Sequence, residues 1–196
     1  MPAQDLDEIY MLTRRHFIAT GFAALTPSAV LGHAGLPHSS YDTMTARDVE
    51  VRPDAEVDTI HIFPEYFSIY HVRAPGRARE YHVAVGDQGR NLSGTTIIKR
   101  KEEWPSWTPT QNMIRREPEV YGQFAGGMPG GPENPLGARA LYLYRGGRDT
   151  MYRIHGTPQP WTIGQAVSSG CIRLTNDDVI ELYPHVTLGT KVISYR

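Results

Sequence analysis

The amino-acid sequence predicts a mostly β domain with one short helix, and three observations support this prediction. Segments rich in β-branched and aromatic residues alternate with turn residues along most of the chain. The 196 residues include 19 glycines and 15 prolines, a share that favours a loop-rich β fold over a helical bundle. Only one segment carries both a helix start signal and a helix stop signal. The length corresponds to one domain.

The strand pattern begins at residue 57 and continues to the end of the chain. In one segment Tyr81, Val83 and Val85 alternate with His82 and Ala84, as expected for a half-buried strand. Turn residues separate such segments from one another. The predicted strands are residues 57–63, 66–72, 77–85, 96–104, 138–145, 151–155 and 191–195.

Two further segments complete the predicted domain. Residues 105–135 contain six prolines and two glycine pairs, so we expect mostly loop, and long ordered loops are usually functional. The helix is predicted after Thr175, which has Asp178 at the spacing of a capping box, and Pro184 ends it. Together these features predict a β-sandwich-like domain with a short helix after the only cysteine.

Composition excludes several classes of function. The net charge of −1 argues against a protein built to bind nucleic acid. A single cysteine excludes an intrachain disulfide and any zinc site that needs two thiolates. His61, His71 and His82 lie in predicted strands without partners at metal-ligand spacing. We therefore expect no metal and no cofactor.

The first 34 residues are predicted to be an export signal rather than part of the fold. Arg14 and Arg15 precede an uncharged, mostly apolar stretch over residues 17–31, which is too short to span a membrane. Small residues before Gly35 suit a cleavage site after Ala34. This pattern resembles a twin-arginine signal and predicts a periplasmic protein without a membrane span after cleavage. Residues 35–56 are predicted to be a linker, and residues 57–196 the domain.

A cysteine, a histidine and an arginine are the candidates for chemistry. Cys171 follows a glycine, and an extended backbone after it would place Cys171 and Arg173 on one face, with Ile172 on the other. A guanidinium favours the thiolate and can bind a carboxylate. His155 ends the preceding strand, so a Cys–His pair for nucleophilic catalysis is possible. The alternative is a buried, inert cysteine and a structural histidine.

These residues lie in motifs that resemble the L,D-transpeptidase family with the YkuD-type catalytic domain. The resemblance covers residues 57–196 and implies a β-sandwich-like domain with the cysteine at the mouth of a cleft. The motif blocks are His155-Gly156-Thr157, Ser168-Ser169-Gly170-Cys171-Ile172-Arg173-Leu174, Thr95-Thr96-Ile97-Ile98, Trp107-Thr108-Pro109, Gly131-Pro132-Glu133-Asn134-Pro135-Leu136-Gly137 and Thr175-Asn176-Asp177-Asp178-Val179.

The resemblance also implies a role for each site residue. Cys171 would attack the peptide bond after the third residue of a peptidoglycan tetrapeptide stem. His155 would be the general base, and the carbonyl of Gly156 would orient its ring. The N–H groups of Gly170 and Cys171 would form the oxyanion hole. The remaining candidates, expected to bind substrate, are Arg173, Ser169, Thr157 and Trp107.

Two of these assignments leave alternatives open. Many family members have histidine where this chain has Ser169, and a serine there can still donate a hydrogen bond. Trp107 either lines a substrate groove or packs under the long loop, and Tyr121 is either a lid residue or ordinary surface.

The family resemblance leaves the acyl acceptor open. Transfer to a neighbouring stem would make 3–3 cross-links, and transfer to an outer-membrane lipoprotein would attach that protein to the wall. Transfer to water or a free D-amino acid would give carboxypeptidase, endopeptidase or exchange activity. A non-catalytic wall-binding module is a further alternative. Carbapenems are expected to acylate the cysteine.

Overall fold

The structure is a computed structural model that describes residues 44–87 and 89–196. The predicted signal peptide and the first part of the predicted linker lie outside the described residues. The described strands are β1 (Arg47–Glu50), β2 (Thr59–Phe63), β3 (Ser68–Ala74), β4 (Arg77–His82), β5 (Val85–Gly86), β6 (Gly94–Glu103), β7 (Arg139–Arg145), β8 (Arg148–His155), β9 (Ala166–Ser168), β10 (Ile172–Arg173) and β11 (Lys191–Ser194). The described α-helices are α1 (Gln111–Arg116), α2 (Pro118–Tyr121) and α3 (Asn176–Leu182).

Nine of the described strands form one sheet in the order β1-β4-β3-β2-β11-β6-β7-β8-β10. Neighbouring strands are antiparallel except for two parallel pairs, β2 with β11 and β8 with β10. Strands β5 and β9 form a separate parallel pair. The predicted mostly β fold class is confirmed.

The core lies on one face of this sheet and is built by residues that alternate along the strands. Ile154 and Leu141, paired across β8 and β7, are completely buried. Helix α3 adds Val179 and Leu182 to the same cluster. Other buried members are Ile60, Ile62, Ile69, Tyr81, Val83, Val85, Leu92, Ile98, Leu143, Ile172, Leu174, Val186 and Val192.

The predicted start of helix α3 is confirmed. The Thr175 hydroxyl accepts a hydrogen bond from the main-chain N–H of Asp178 at 3.0 Å, which satisfies one of the free N–H groups of the first turn. The helix ends at Leu182, and Tyr183–His185 continues as one 3₁₀ turn.

Two predictions about irregular segments are wrong in part. The linker predicted over residues 35–56 contains β1, which pairs with β4 so that Val49 lies opposite Ala78. The segment 105–135 contains α1 and α2 as well as loop. Thr110 explains the first helix, because its hydroxyl accepts from the Met113 N–H at 3.2 Å and caps it.

None of the helices in the described part of the chain has the length and apolar character that a membrane crossing requires.

Candidate active site

The parallel pairing of β8 with β10 brings the predicted cysteine and histidine segments together. Arg173 lies opposite His155 and Ile172 lies opposite Ile154. The main-chain N–H of Leu174 donates to the carbonyl of His155 at 2.8 Å, which extends the pairing beyond the strand. Cys171 immediately precedes β10, and continuing the register sets it beside Arg153 of β8.

This register places apolar side chains on one face of the sheet and polar side chains on the other. Ile154 and Ile172 face the core and are 0% and 2% exposed. Because side chains alternate along a strand, His155 and Arg173 lie on the opposite face. The face predicted from the sequence for Cys171 and Arg173 therefore agrees with the pairing.

His155 is buried, and its ring is fixed by the neighbouring main chain. Its Nδ1 lies 2.6 Å from the carbonyl oxygen of Gly156, the contact that the family resemblance implied. A carbonyl only accepts hydrogen bonds, so Nδ1 carries the proton, and the main chain of Leu136 is a second hydrogen-bond partner of the ring. Burial, and next the positive charge of Arg173, lower the pKa of His155 to about 3. The imidazole is therefore neutral at neutral pH and able to accept a proton.

Glycine is required at position 156 because the chain passes close to α3. A Cβ atom there would lie 2.3 Å from Oδ1 of Asn176, the first residue of that helix. The same oxygen accepts from the main-chain N–H of Ala138 at 2.9 Å, on the chain leading into β7. Asn176 thus ties the helix to the start of β7, where Ala140 pairs with His155.

The Cys171 thiol is half-buried at the edge of β8. Its sulfur lies 3.8 Å from the carbonyl oxygen of Met151, to which the thiol can donate. Burial raises the pKa of the thiol, whereas the main-chain N–H of Arg153 and the charges of Arg153 and Arg173 oppose that rise. The predicted stabilisation of the thiolate by Arg173 is therefore present but outweighed by burial.

The turn before Cys171 is held by Ser168. Its hydroxyl donates to the carbonyl of Cys171 at 2.6 Å and accepts from the N–H of Gly170 at 3.0 Å. The prediction that the Gly170 N–H serves an oxyanion hole is not supported, because that N–H is occupied in this conformation. Gly170 has a φ of +130°, and a Cβ there would lie 2.6 Å from the Tyr152 ring, so glycine is needed for the turn itself.

Arg173 is half-buried, and no hydrogen-bond or carboxylate partner contacts its guanidinium within residues 44–87 and 89–196. Its main chain is fixed by two hydrogen bonds of 2.9 Å with Ala84. Burial lowers its pKa, although a guanidinium stays protonated at neutral pH. A partly desolvated cation without a counter-ion beside the thiol is suited to bind an anionic group.

The long segment before β7 reaches the site through two residues. Nη2 of Arg116 donates to the Ser169 hydroxyl at 3.1 Å, two residues before the cysteine. Tyr121 of α2 lies close enough to Arg173 to act on its charge. Helices α1 and α2 bury none of their residues, so they are held by few packing contacts.

Two residues predicted to bind substrate, Trp107 and Thr157, contact neighbouring parts of the chain. The ring centroids of Trp107 lie 6.2 Å from Tyr121 and 5.9 Å from Phe124, so the indole packs under the loop. Thr157 is 2% exposed, and its hydroxyl accepts from the N–H of Gln159 at 3.1 Å. This hydroxyl stabilises the turn after His155. The Ser169 side chain is exposed.

Sequence reasoning missed Arg153 and Arg116. Arg153 stands two residues before His155, and strand alternation alone would have set both on one face. Arg116 had no such signal, because its contact with Ser169 joins residues 53 positions apart.

Residues 58–193 match the YkuD family, described as the L,D-transpeptidase catalytic domain. This match spans more than half of the chain, so the chain belongs to that family.

One relative and two solved structures illustrate the similarity. The probable L,D-transpeptidase ErfK/SrfK of Salmonella typhimurium is 36% identical over 161 residues, which cover 80% of this chain and 50% of that protein. The chain therefore spans half the length of that relative. A crystal structure from Brucella melitensis, named a probable carnitine operon oxidoreductase, is 50% identical with a TM-score of 0.54, covering 74% of this chain and 90% of that one.

An Enterococcus faecium L,D-transpeptidase structure has a TM-score of 0.50 at 17% identity, covering 71% of this chain and 50% of that one. At this identity the similarity supports the fold alone, and the fold agrees with the predicted class.

Proposed function

We propose that this chain is an exported L,D-transpeptidase that acts on peptidoglycan tetrapeptide stems through a cysteine thioester. The observation that carries the proposal is the β8–β10 register, which sets Cys171 beside the strand that ends in a neutral, oriented His155. Family membership supports the same reaction class.

The two resting groups are both neutral, which defines the first step. The thiol pKa is raised and the imidazole pKa is lowered, so a preformed thiolate–imidazolium pair is disfavoured. We infer that Nε2 of His155 takes the thiol proton as the sulfur attacks the carbonyl carbon of the third stem residue. The tetrahedral oxyanion forms next to Cys171, whose main-chain N–H is the remaining candidate from the predicted oxyanion hole.

Collapse of the tetrahedral intermediate breaks the C–N bond and releases D-alanine, which takes the proton from His155. The acyl group then remains on sulfur as a thioester. An acceptor amine attacks the thioester, His155 removes a proton from it, and the departing sulfur recovers that proton. The protein ends in its starting protonation state.

Arg173 supplies the binding charge in this proposal. Its guanidinium lacks a counter-ion among the described residues and lies near the sulfur, where it can bind a carboxylate of the stem or of an inhibitor. In this proposal Ser169, whose hydroxyl accepts from Arg116 of α1, also contacts the bound stem. Carbapenems, whose ring carries a carboxylate, fit the same arrangement as covalent inhibitors.

The decisive experiment incubates the purified protein with disaccharide-tetrapeptide and measures product masses. A dimer that has lost one D-alanine supports transpeptidation, and a tripeptide supports carboxypeptidase activity. An exchanged stem after addition of a free D-amino acid supports exchange. Stems of unchanged mass would contradict the proposal and favour a wall-binding module or the oxidoreductase activity in the name of the Brucella structure. Adding a lysine-bearing lipoprotein tests protein attachment to the wall.

We also propose export through the twin-arginine route to the periplasm. A variant with Arg14→Lys and Arg15→Lys should accumulate as uncleaved precursor in the cytoplasm, because the arginine pair is the address. The chain has a second arginine pair at Arg115 and Arg116, and the matching lysine variant there should be exported normally. Normal export of the first variant would contradict this route.

A further inference from the structure

A row of three side chains crosses the sheet and ends beside the cysteine. Arg100 of β6 lies opposite Tyr142 of β7, and Tyr142 lies opposite Arg153 of β8. Continuing the β8–β10 register, Cys171 is the next position in this row. Paired residues of neighbouring strands project to the same face, so the row shares the face of the candidate active site.

The Arg153 guanidinium is held by a partly buried ion pair and a ring contact. Its Nη1 and Nη2 donate to the two carboxylate oxygens of Asp149 at 2.7 and 2.9 Å. Its guanidinium lies 4.3 Å from the centroid of the Tyr142 ring, and its side chain is 10% exposed. The Tyr142 hydroxyl is itself held, donating to Glu102 at 2.8 Å. A forked ion pair and a ring contact together fix both the position and the plane of the guanidinium.

The main chain around Arg153 also holds the sulfur. The strand is irregular here, because Met151 has a φ of +65° and its N–H donates to its neighbour Asp149. The Met151 carbonyl lies 3.8 Å from the sulfur, and the Arg153 N–H acts on the same sulfur from the same strand. The Cys171 thiol therefore occupies the edge of β8 where β10, two residues long, leaves that edge uncovered.

The two arginines near the sulfur differ in what they can do. Arg153 is buried with a bidentate partner, whereas Arg173 has no carboxylate partner among the residues that the structure describes. A cation that is already satisfied cannot rearrange to bind a substrate without breaking its ion pair. Arg173 remains available for a ligand, and Arg153 does not.

We propose that Arg153 is a positioning residue: its main-chain N–H helps to hold the Cys171 thiol at the edge of β8, and its guanidinium supplies a fixed positive charge near the sulfur. Asp149 and Tyr142 act through Arg153 by locking its guanidinium. The inference rests on the proposed role of Cys171 as the nucleophile. In it Arg153 acts on the sulfur, whereas Arg173 binds the ligand.

The test measures how fast iodoacetamide alkylates Cys171 as a function of pH. The chain has one cysteine, so intact mass reports this reaction directly. In Arg153→Met the midpoint of the pH profile should rise by about one pH unit, because a nearby cation no longer favours the thiolate. Arg153→Lys should restore most of the wild-type midpoint.

Arg100→Met is the matched control. Arg100 also lies 4.3 Å from the Tyr142 ring centroid and pairs with Glu102, but it is separated from Cys171 by two strands. Its replacement should leave the midpoint unchanged even if it lowers the melting temperature. An unchanged midpoint in Arg153→Met, or an equal shift in Arg100→Met, would overturn the proposal.

Arg153→Gln provides an independent test if Arg153→Met fails to fold, because its side-chain amide can still donate to Asp149. This variant also removes the positive charge, so the alkylation midpoint should rise. An unchanged or lower midpoint would contradict a fixed charge at Arg153. Alkylation needs no peptidoglycan, so these results stand whether or not the stem-cleavage experiment succeeds.

Discussion

The two faces of strands β7, β8 and β10 differ in function: one packs in the core, and the other carries the candidate active site. One face carries Leu141 and Ile154, completely buried in the core, whereas the other carries Tyr142, Arg153 and His155. The residues of the second face are also largely buried, but they are polar, and each is satisfied by an ion pair, a ring contact or a main-chain carbonyl. Burial on the first face stabilises the fold, and burial on the second shifts pKa values.

This comparison explains why the site residues sit so close to the core. Because side chains alternate, each core residue on β8 has an active-face neighbour one position away. A rigid apolar layer behind the strand then fixes the position of the residues in front of it. Substitutions on the active face should consequently lower activity, and substitutions on the core face should lower stability.

The largest expected effect lies on the active face. Cys171→Ala should abolish product formation from disaccharide-tetrapeptide, because the chain has no other thiol. The residue is small and half-buried, so the melting temperature should remain near that of wild type. Turnover above a few per cent of wild type, measured by product mass, would show that another group is the nucleophile.

The next largest effect is expected for His155, the proposed general base. His155→Ala should lower the rate of stem cleavage by about 10²–10⁴-fold, the usual contribution of a positioned base. Ser169→Ala is the control, since it removes only a hydroxyl that accepts from Arg116, and it should lose much less. Equal losses in the two variants would assign the orienting role to Ser169.

A core substitution should give the reverse result. Leu143 is completely buried in the core cluster, so Leu143→Ala should lower the free energy of unfolding by about 2–5 kcal/mol. Where the variant is still folded, its alkylation midpoint should equal that of wild type, because no charge near the sulfur has changed. A shifted midpoint would mean that the two faces are coupled through packing.

The pH dependence of stability distinguishes the faces in another way. The pKa of His155 is about 3 when folded, below the ordinary value of 6.5, so the unfolded chain binds the proton first as pH falls. The stability from the buried neutral ring is complete above pH 6.5 and is lost below it, by about 2 kcal/mol at pH 5. His155→Gln should lose this slope in denaturant titrations, whereas Leu143→Ala should keep it. Parallel curves for wild type and His155→Gln would contradict the neutral buried ring.

The sequence predicted those parts of the molecule that depend on local pattern. The Thr175 cap of α3 and the strand ending at His155 follow from neighbours in the chain. Strand β1 was missed because its four residues are mostly charged, and what orders it is pairing with β4 together with the Arg47–Glu80 ion pair.

The parts of the site that were missed depend on contacts between distant segments. Arg116 reaches Ser169 only in the folded chain, and no spacing of residues in the sequence predicts this contact. Thr157 was predicted to bind substrate and the Gly170 N–H to form the oxyanion hole. In the structure the Thr157 hydroxyl accepts from Gln159, and the Gly170 N–H donates to Ser168. Residue type identified polar candidates in the right segments. Which of their polar groups remain available depends on the hydrogen-bond partners that they find in the folded chain.

The smallest effect expected concerns Arg173, and it sharpens the distinction between the free and the fixed arginine. Incubation with a carbapenem should give a 1:1 covalent adduct on Cys171, read by intact mass. Arg173→Met removes a guanidinium that has no protein partner among the described residues, so the adduct should form about tenfold more slowly, mainly through weaker binding of the carboxylate. The carbapenem concentration giving half-maximal rate should therefore rise. Arg153→Met should instead slow the reaction at saturating carbapenem, because its charge acts on the sulfur. An adduct at any other residue would contradict the active-site assignment, and identical effects of the two variants would show that the arginines are not divided in role.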